Sequence, residues 1–406
     1  MNKNPLRLTI YFLFCCLFSF HSSAYAVRGV MDLRLESFQS PIPLEGQWEI
    51  YWHKLLTTRD QFDGSHYTEF PGIWKGQIVD NDTLTAFGYA TYRLKLILPK
   101  KPQDYELFID DMYCSYNIYL DGQLIANNGV VGNSLATSNP EWRPLLVTIK
   151  NQSGIVELVV NVSNWRHSKG GAANPILISK AGILSKSLNQ SKLFQTALFT
   201  LFIIASLFFF YRFVFKSYEL ASFYFALFLV TYSYRLVGAD LYLLHEWVPN
   251  YPWLVGIKLE YLSLFLSTLF FALYGYHLYP EETSMKWVRP LLIACLSFAA
   301  IVLITPVPFF TQSLLPFFSI LIVYIAYGFY IFTTAAINGR RGATYGVLSV
   351  SVVFIIFIYQ MFYYIGWLEY VYELTFIAHL LFLILQSLQL YTLSEDNLKT
   401  LASTNV

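Results

Sequence analysis

Residues 177–213, LISKAGILSKSLNQSKLFQTALFTLFIIASLFFFYRF, change character midway. Up to Lys180 they continue "NPILISK", a short strand-like alternation closed by a proline on one side and a glycine on the other. From Leu193 to Phe213 they form an apolar run of the ~20 residues that a helix needs to cross a bilayer. Working outward, residues 27 to about 190 have ordinary polarity with Gly and Pro punctuation, whereas the rest is nearly continuous hydrophobe. The whole chain is 55% hydrophobic, 18% aromatic and only 13% charged, too apolar for an ordinary soluble protein. The division is therefore a soluble β domain followed by a membrane domain. A net charge of +1 gives no electrostatic reason for a nucleic-acid partner.

Apolar runs of spanning length fall near 193–213, 219–239, 256–278, 289–308, 313–337, 343–365 and 372–393, giving an all-α seven-helix transmembrane bundle over 190–393. The fourth and fifth are divided at "TPVPFF", where Pro306 and Pro308 break a helix. Arg212, Lys216, Lys286, Arg289, Arg340 and Arg341 fall in alternate connections, while the intervening loops carry Asp240, Glu246, Glu369 and Glu373 and no Lys or Arg. Because basic loops stay cytoplasmic, the soluble domain is expected outside and the C-terminus inside. Trp247, Trp253, Trp287 and Trp367 sit at expected interfaces as aromatic anchors.

Ionisable residues inside spans are costly unless paired, so they are functional candidates. Arg235, Lys258, Glu260, Glu373 and His379 all lie toward the outer ends of their helices and can form one polar cluster, or snorkel to the interface. Adjacent antiparallel spans should bring Arg235 and Glu260 together. HExxH, GxSxG and phosphate-binding glycine loops are absent, as is any inverted repeat of broken spans.

Ahead of the bundle, "MNKNPLRLTIYFLFCCLFSFHSSAYA" has Lys3 and Arg7, a short apolar core and the small-x-small pattern Ala24-Tyr25-Ala26, which reads as a secretory signal peptide over 1–26. Of the cysteines, Cys15 and Cys16 would leave with it, and Cys114 and Cys295 are too differently placed to suggest a disulfide; zinc spacing is absent and no metal or cofactor is expected. From 27 to 185 the pattern is alternation bounded by turns. Trp48, Ile50 and Trp52 share one face, as do Tyr92, Leu94, Leu96 and Leu98, and Asp121-Gly122 marks a two-residue hairpin. Many short strands at regular spacing give an all-β, antiparallel sandwich.

The order "LEGQWEIYW", "FPGIWKG", "GYATYRLKLILP", "YNIYLDGQLIANNG", "VSNWRHSKGG", followed directly by seven spans, resembles the bacterial seven-transmembrane receptors with diverse intracellular signalling modules. That resemblance implies a galactose-binding-like jelly roll akin to the sugar-binding domain of family 2 glycoside hydrolases. It places Asn164, His167, Gly170 and Gly171 on the family's Asn, His and Gly-Gly positions. Sugars are held by aromatic faces and planar polar groups, which Trp142, Arg143, Asn164, Trp165 and His167 supply in two loops, with Trp74 a further candidate. No carboxylate pair suited to hydrolysis stands out, since Asp110 and Asp111 would face opposite ways on a strand. Binding is thus favoured over catalysis.

The resulting expectation is a sensor in the bacterial inner membrane, binding a periplasmic carbohydrate or related small solute. The alternative is an accessory or anchoring protein whose jelly roll binds another envelope protein. Family members usually continue into a catalytic module, whereas here only the cytoplasmic tail 394–406 follows. Leu398 and Leu401 in it could share a helical face, as in the first turns of a signalling helix, and a signalling enzyme would lie beyond Val406 in cis or dock in trans around Arg289, Arg340 and Arg341.

Overall fold

A computed structural model of the chain describes residues 24–57, 60–62, 66–79, 82–110, 112–113, 115–217, 219–248, 250–365, 368 and 371–404, with backbone alone for 216–217, 364–365 and 394–404. Residues 1–23 of the expected signal segment, Cys114, Asp111, Trp367 and Glu369 lie outside the described residues.

Two sheets face each other. The larger runs β11 (Gln123–Asn128), β10 (Ser115–Leu120), β13 (Ile155–Asn164), β8 (Gly88–Ile97), β3 (Gly46–Trp52) and β4 (His66–Phe70), with β1 (Val30–Asp32) added parallel to the end of β8. The smaller runs β12 (Leu145–Gln152), β9 (Gln103–Ile109), β15 (Leu177–Lys180) and β2 (Ile42–Pro43). Two short pairs lie outside them, β5 (Gly72–Ile73) with β14 (Gly171–Ala172) and β6 (Ile78–Val79) with β7 (Asp82–Thr83). Alternation decides which side chains meet between them. Trp48 and Ile50 of β3, Tyr92, Leu94 and Leu96 of β8, and Leu107 and Ile109 of β9 are buried in one core, with Trp52 half-buried at its margin. The β10–β11 turn is made by Asp121 and Gly122 at φ 45° and 85°, the left-handed pair that a two-residue hairpin demands. Trp74 is a core residue, its indole N–H bonded to the Tyr92 hydroxyl.

The sandwich begins earlier than residue 27. Ala26 is fully buried, accepts from the Gln47 amide and donates to the Glu45 carbonyl, both at 2.8 Å. Any side chain at Gly46 would overlap its backbone.

Only Ala181 and Gly182 separate β15 from the first long helix. The bundle consists of α1 (Ile183–Arg212, extended by a π turn over Phe213–Ser217), α2 (Leu220–Gly238), the short α3 (Leu243–Trp247), α4 (Trp253–Leu278), α5 (Met285–Ile304), the short α6 (Val307–Phe310), α7 (Leu314–Ile337), α8 (Ala343–Ile365) and α9 (Tyr372–Thr404). Seven helical segments among the described residues are long and apolar enough to cross a membrane, and the chain is an integral membrane protein. Pro306 and Pro308 do part α5 from α7, with α6 between. Helix α1 packs on α2 and α9, α2 on α4, α4 on α5, α7 on α8 and α8 on α9. Phe265 of α4 and Phe298 of α5 close the ring against Phe317 of α7, with centroids 4.6 and 5.5 Å from it.

Candidate functional site

Where the sandwich meets the bundle, side chains from two loops form a joint. Asn164, fully buried at the end of β13, fixes the loop after it: Nδ2 lies 2.7, 2.8 and 2.9 Å from the carbonyls of Ala86, His167 and Lys169, and Oδ1 accepts from the amides of Arg166 and His167. Gly170 then passes so close to Trp74 and the Ala86 carbonyl that no side chain fits there. This brings His167 against the sandwich's own Tyr113, stacked at 4.8 Å, and against the edge of Trp142 at 5.6 Å. The Lys169 amide donates to His167 Nδ1 at 3.1 Å. Burial, opposed in part by the Lys169 carbonyl 3.2 Å from Nδ1, pushes the His167 imidazole down to about 3, so it is neutral.

Trp142 is the wedge. Its Nε1 donates to the Tyr113 carbonyl at 2.7 Å, and its ring meets Tyr242 at 5.5 Å and Trp253 at 5.8 Å, both from the bundle. It belongs to one apolar cluster with Ile257, Tyr261 and Phe310. Beside it, the Thr311 hydroxyl donates to Ser168 Oγ at 2.8 Å. Trp253, read from sequence as an interface anchor, is thus spent on Trp142, while Trp247 and Trp287 are exposed on the bundle surface. On the smaller sheet, buried Glu106 accepts from the Ser185 amide at 3.0 Å, capping α1. Burial pushes this carboxyl up, but the donors of Ser185, Gly182 and Leu184 outweigh it and hold it below its ordinary range.

Of the five expected ligand residues, three come together and two stand apart. Trp142, Asn164 and His167 are buried in or under the joint. Trp165 turns away, half-buried, with Nε1 donating to Gly132 at 3.0 Å and its ring 6.3 Å from Tyr89. Arg143 is partly exposed beside Glu141 at 3.8 Å. Asp110 accepts from Asn174 Nδ2 at 2.7 Å.

Of the five intramembrane ionisables, three come together at the sandwich end of the bundle. Arg235 Nη1 donates to the backbone carbonyl of Glu260 at 3.1 Å, the contact running to the main chain rather than the carboxylate. His379 lines the same cavity, Nδ1 donating to Thr375 O at 2.7 Å and Nε2 accepting from the Tyr232 hydroxyl at 2.6 Å. Lys258 instead reaches the Leu303 carbonyl at 3.1 Å, near the end of α5, and Glu373 is exposed in the first turn of α9. Gln195, Tyr232 and Gln360, uncharged and therefore unmarked in the sequence, complete this layer. A second uncharged layer lies at the far end, where Gln386 Nε2 donates to Ser349 at 2.6 Å and Gln389 Nε2 to Tyr279 at 2.9 Å. Those bonds tie α9 to α8 and to the end of α4. Nearby, Arg340 holds Glu282 at 2.6 Å and also Glu281.

A β-sandwich wedged by one tryptophan onto a seven-helix membrane bundle defines an integral membrane protein of two coupled domains. Residues 191–392 match the family model described as 7TM diverse intracellular signalling, and this membrane half of the chain belongs to that family of seven-transmembrane sensors. No curated protein matches the chain. Among solved structures, it is similar to a GH2 β-galacturonidase from Eisenbergiella tayi bound to glycerol, at 16% identity over 35% of this chain and 25% of that one, with a TM-score of 0.26. It is also similar to the Faecalibacterium prausnitzii β-glucuronidase, at 14% identity over 35% of this chain and 32% of that one, with a TM-score of 0.28. The chain thus spans about a quarter to a third of the length of those structures.

Proposed function

We propose that this protein is a receptor of the bacterial cytoplasmic membrane that holds its sandwich in the periplasm, binds a carbohydrate or related small solute there, and passes occupancy through the bundle to a cytoplasmic signalling module. The observation that carries the reading is the joint itself. Trp142 is packed by His167 on one domain and by Tyr242 and Trp253 on the other, with Ser168 bonded to Thr311, so a shift in either loop must repack the heads of the helices. In this reading Arg143 and Trp165, still partly exposed, face the solute, while Trp142 and His167 behind them report it. The output module lies in cis beyond α9 or on a partner docking at the far-end loops, where Arg289 is exposed.

The full chain in lipid nanodiscs should be titrated calorimetrically with mono- and oligosaccharides and wall fragments, with hydrogen exchange followed on α9. Binding weakened at least tenfold by Trp165→Ala, and an α9 exchange change abolished by Trp142→Ala, is the expected result. A blank screen would defeat the carbohydrate assignment, and binding that leaves α9 unaltered would defeat the relay.

A further inference from the structure

Inside the bundle, two cavities open into the same wall. One of about 240 Å³ is apolar, set among Phe202, Phe228, Phe271, Leu321, Ile331 and Phe382. The other, about 190 Å³, lies toward the sandwich and is lined by Gln195, Arg235, Asp240, Glu260 and Thr375. Tyr232, Arg235, Leu264, Phe318, Gln360 and His379 line both. A greasy chamber therefore shares a wall of six residues with a polar one.

The polar chamber holds acceptors without donors. Gln195 is only 6% exposed, and its Oε1 has no hydrogen-bond partner. The same holds for buried Glu260 Oε2. Leaving such atoms unpaired in a bundle core is costly, so a donor from outside the chain is favoured there. Arg235 stands in this lining with two carboxylates, Glu260 and Asp240, so an anionic guest would add like charge to a low-dielectric wall already rich in carboxylate.

We propose that the two chambers form one binding site for a single-chain amphiphile with an uncharged, hydroxyl-bearing head, of the monoacylglycerol type. The head donates to Gln195 and Glu260 and accepts from Arg235, and the chain lies among the phenylalanines. This site is separate from the sandwich, so a failed sugar screen leaves it standing, and the converse holds too.

The walls supply a clean test. A Cβ at Gly275 would meet nothing within 4 Å, and one at Gly328 only Val350 Cγ1 at 3.9 Å, and both glycines line the apolar chamber. Gly328→Leu should fill it without loss of fold, since it removes a helix-interior glycine. The full chain in phosphatidylcholine nanodiscs is labelled with a diazirine-bearing 1-decanoylglycerol and the crosslinked peptides are mapped. Labelling of α2, α4, α7 and α9 is expected, competed by unlabelled 1-decanoylglycerol but not by decane or decanoate. It should fall at least tenfold in Gly328→Leu with an unchanged or higher melting temperature, and severalfold in Gln195→Leu. Labelling confined to lipid-facing positions such as Phe208 or Ile304, or undiminished in Gly328→Leu, overturns the site. Equal competition by decane or decanoate overturns the head group assigned to it.

Discussion

Asn164 shows how much can rest on one buried amide. It holds the His167 and Lys169 carbonyls of its own loop and the Ala86 carbonyl just before β8, so Asn164→Ala should cost roughly 3 kcal/mol of stability, about 1 for each carbonyl left without its donor. Thermal or denaturant unfolding of the sandwich signal measures this, and a loss below ~1 kcal/mol would mean that water replaces the amide. His167 makes a pH prediction. Its folded value of about 3 lies below the unfolded value near 6.5, so the unfolded chain takes up the proton first. Stability should be flat above about pH 7 and fall as pH drops below the unfolded value. His245, also held low by burial, adds in the same direction. Melting scans from pH 8 to 5 should show that slope, and His167→Gln should reduce it. Sequence marked Trp142 and His167 as unusual because aromatic and planar polar groups cluster in their loops. It could not say that the faces Trp142 needs belong to Tyr242 and Trp253, a hundred residues or more along the chain. Gln195 escaped notice because an uncharged amide barely interrupts an apolar run.

Elements divide into those set by periodicity and those set by tertiary partners. The spans were legible because a bilayer enforces length and apolarity together, and β3, β8 and the Asp121-Gly122 hairpin because burial alternates along a strand. The domain joint was not, since nothing local distinguishes a loop that binds solute from one that binds helices. Glu106 belongs to this second class: on sequence it is one charge in a strand, yet it caps α1. Glu106→Gln should loosen that helix by about 2 kcal/mol, through loss of a charge-assisted bond at a helix N-terminus, seen as faster hydrogen exchange at Leu184–Ser187. Unchanged exchange would show the cap to be dispensable. At the other end of the sandwich, buried Ala26 makes removal of residues 1–26 costly. Ser22-Ser23-Ala24 is also a small-x-small pattern, so intact mass of the membrane-extracted protein should give a chain beginning at Tyr25. One beginning at Val27 would refute this.

For the molecule as a whole, the segregation of Lys and Arg among the loops predicts that periplasm-active reporters work after residues 245 or 368 and cytoplasm-active ones after 284, 340 or 400. Reversed activity at two of these sites would overturn the orientation. Helix α9 has the most to gain from that geometry. It is a continuous helix of 33 residues, ~50 Å long against a hydrocarbon core of ~30 Å, and it is bonded near its start through His379 and lower down through Gln386 and Gln389. It can therefore act as a rigid lever with its fulcrum in the bundle. With ~37 Å of helix between His379 and Thr404, a tilt of about 5° at the upper bond would sweep the far tip by roughly 3 Å, so a rearrangement too small to see at the joint becomes a displacement as wide as a hydrogen bond at the other surface.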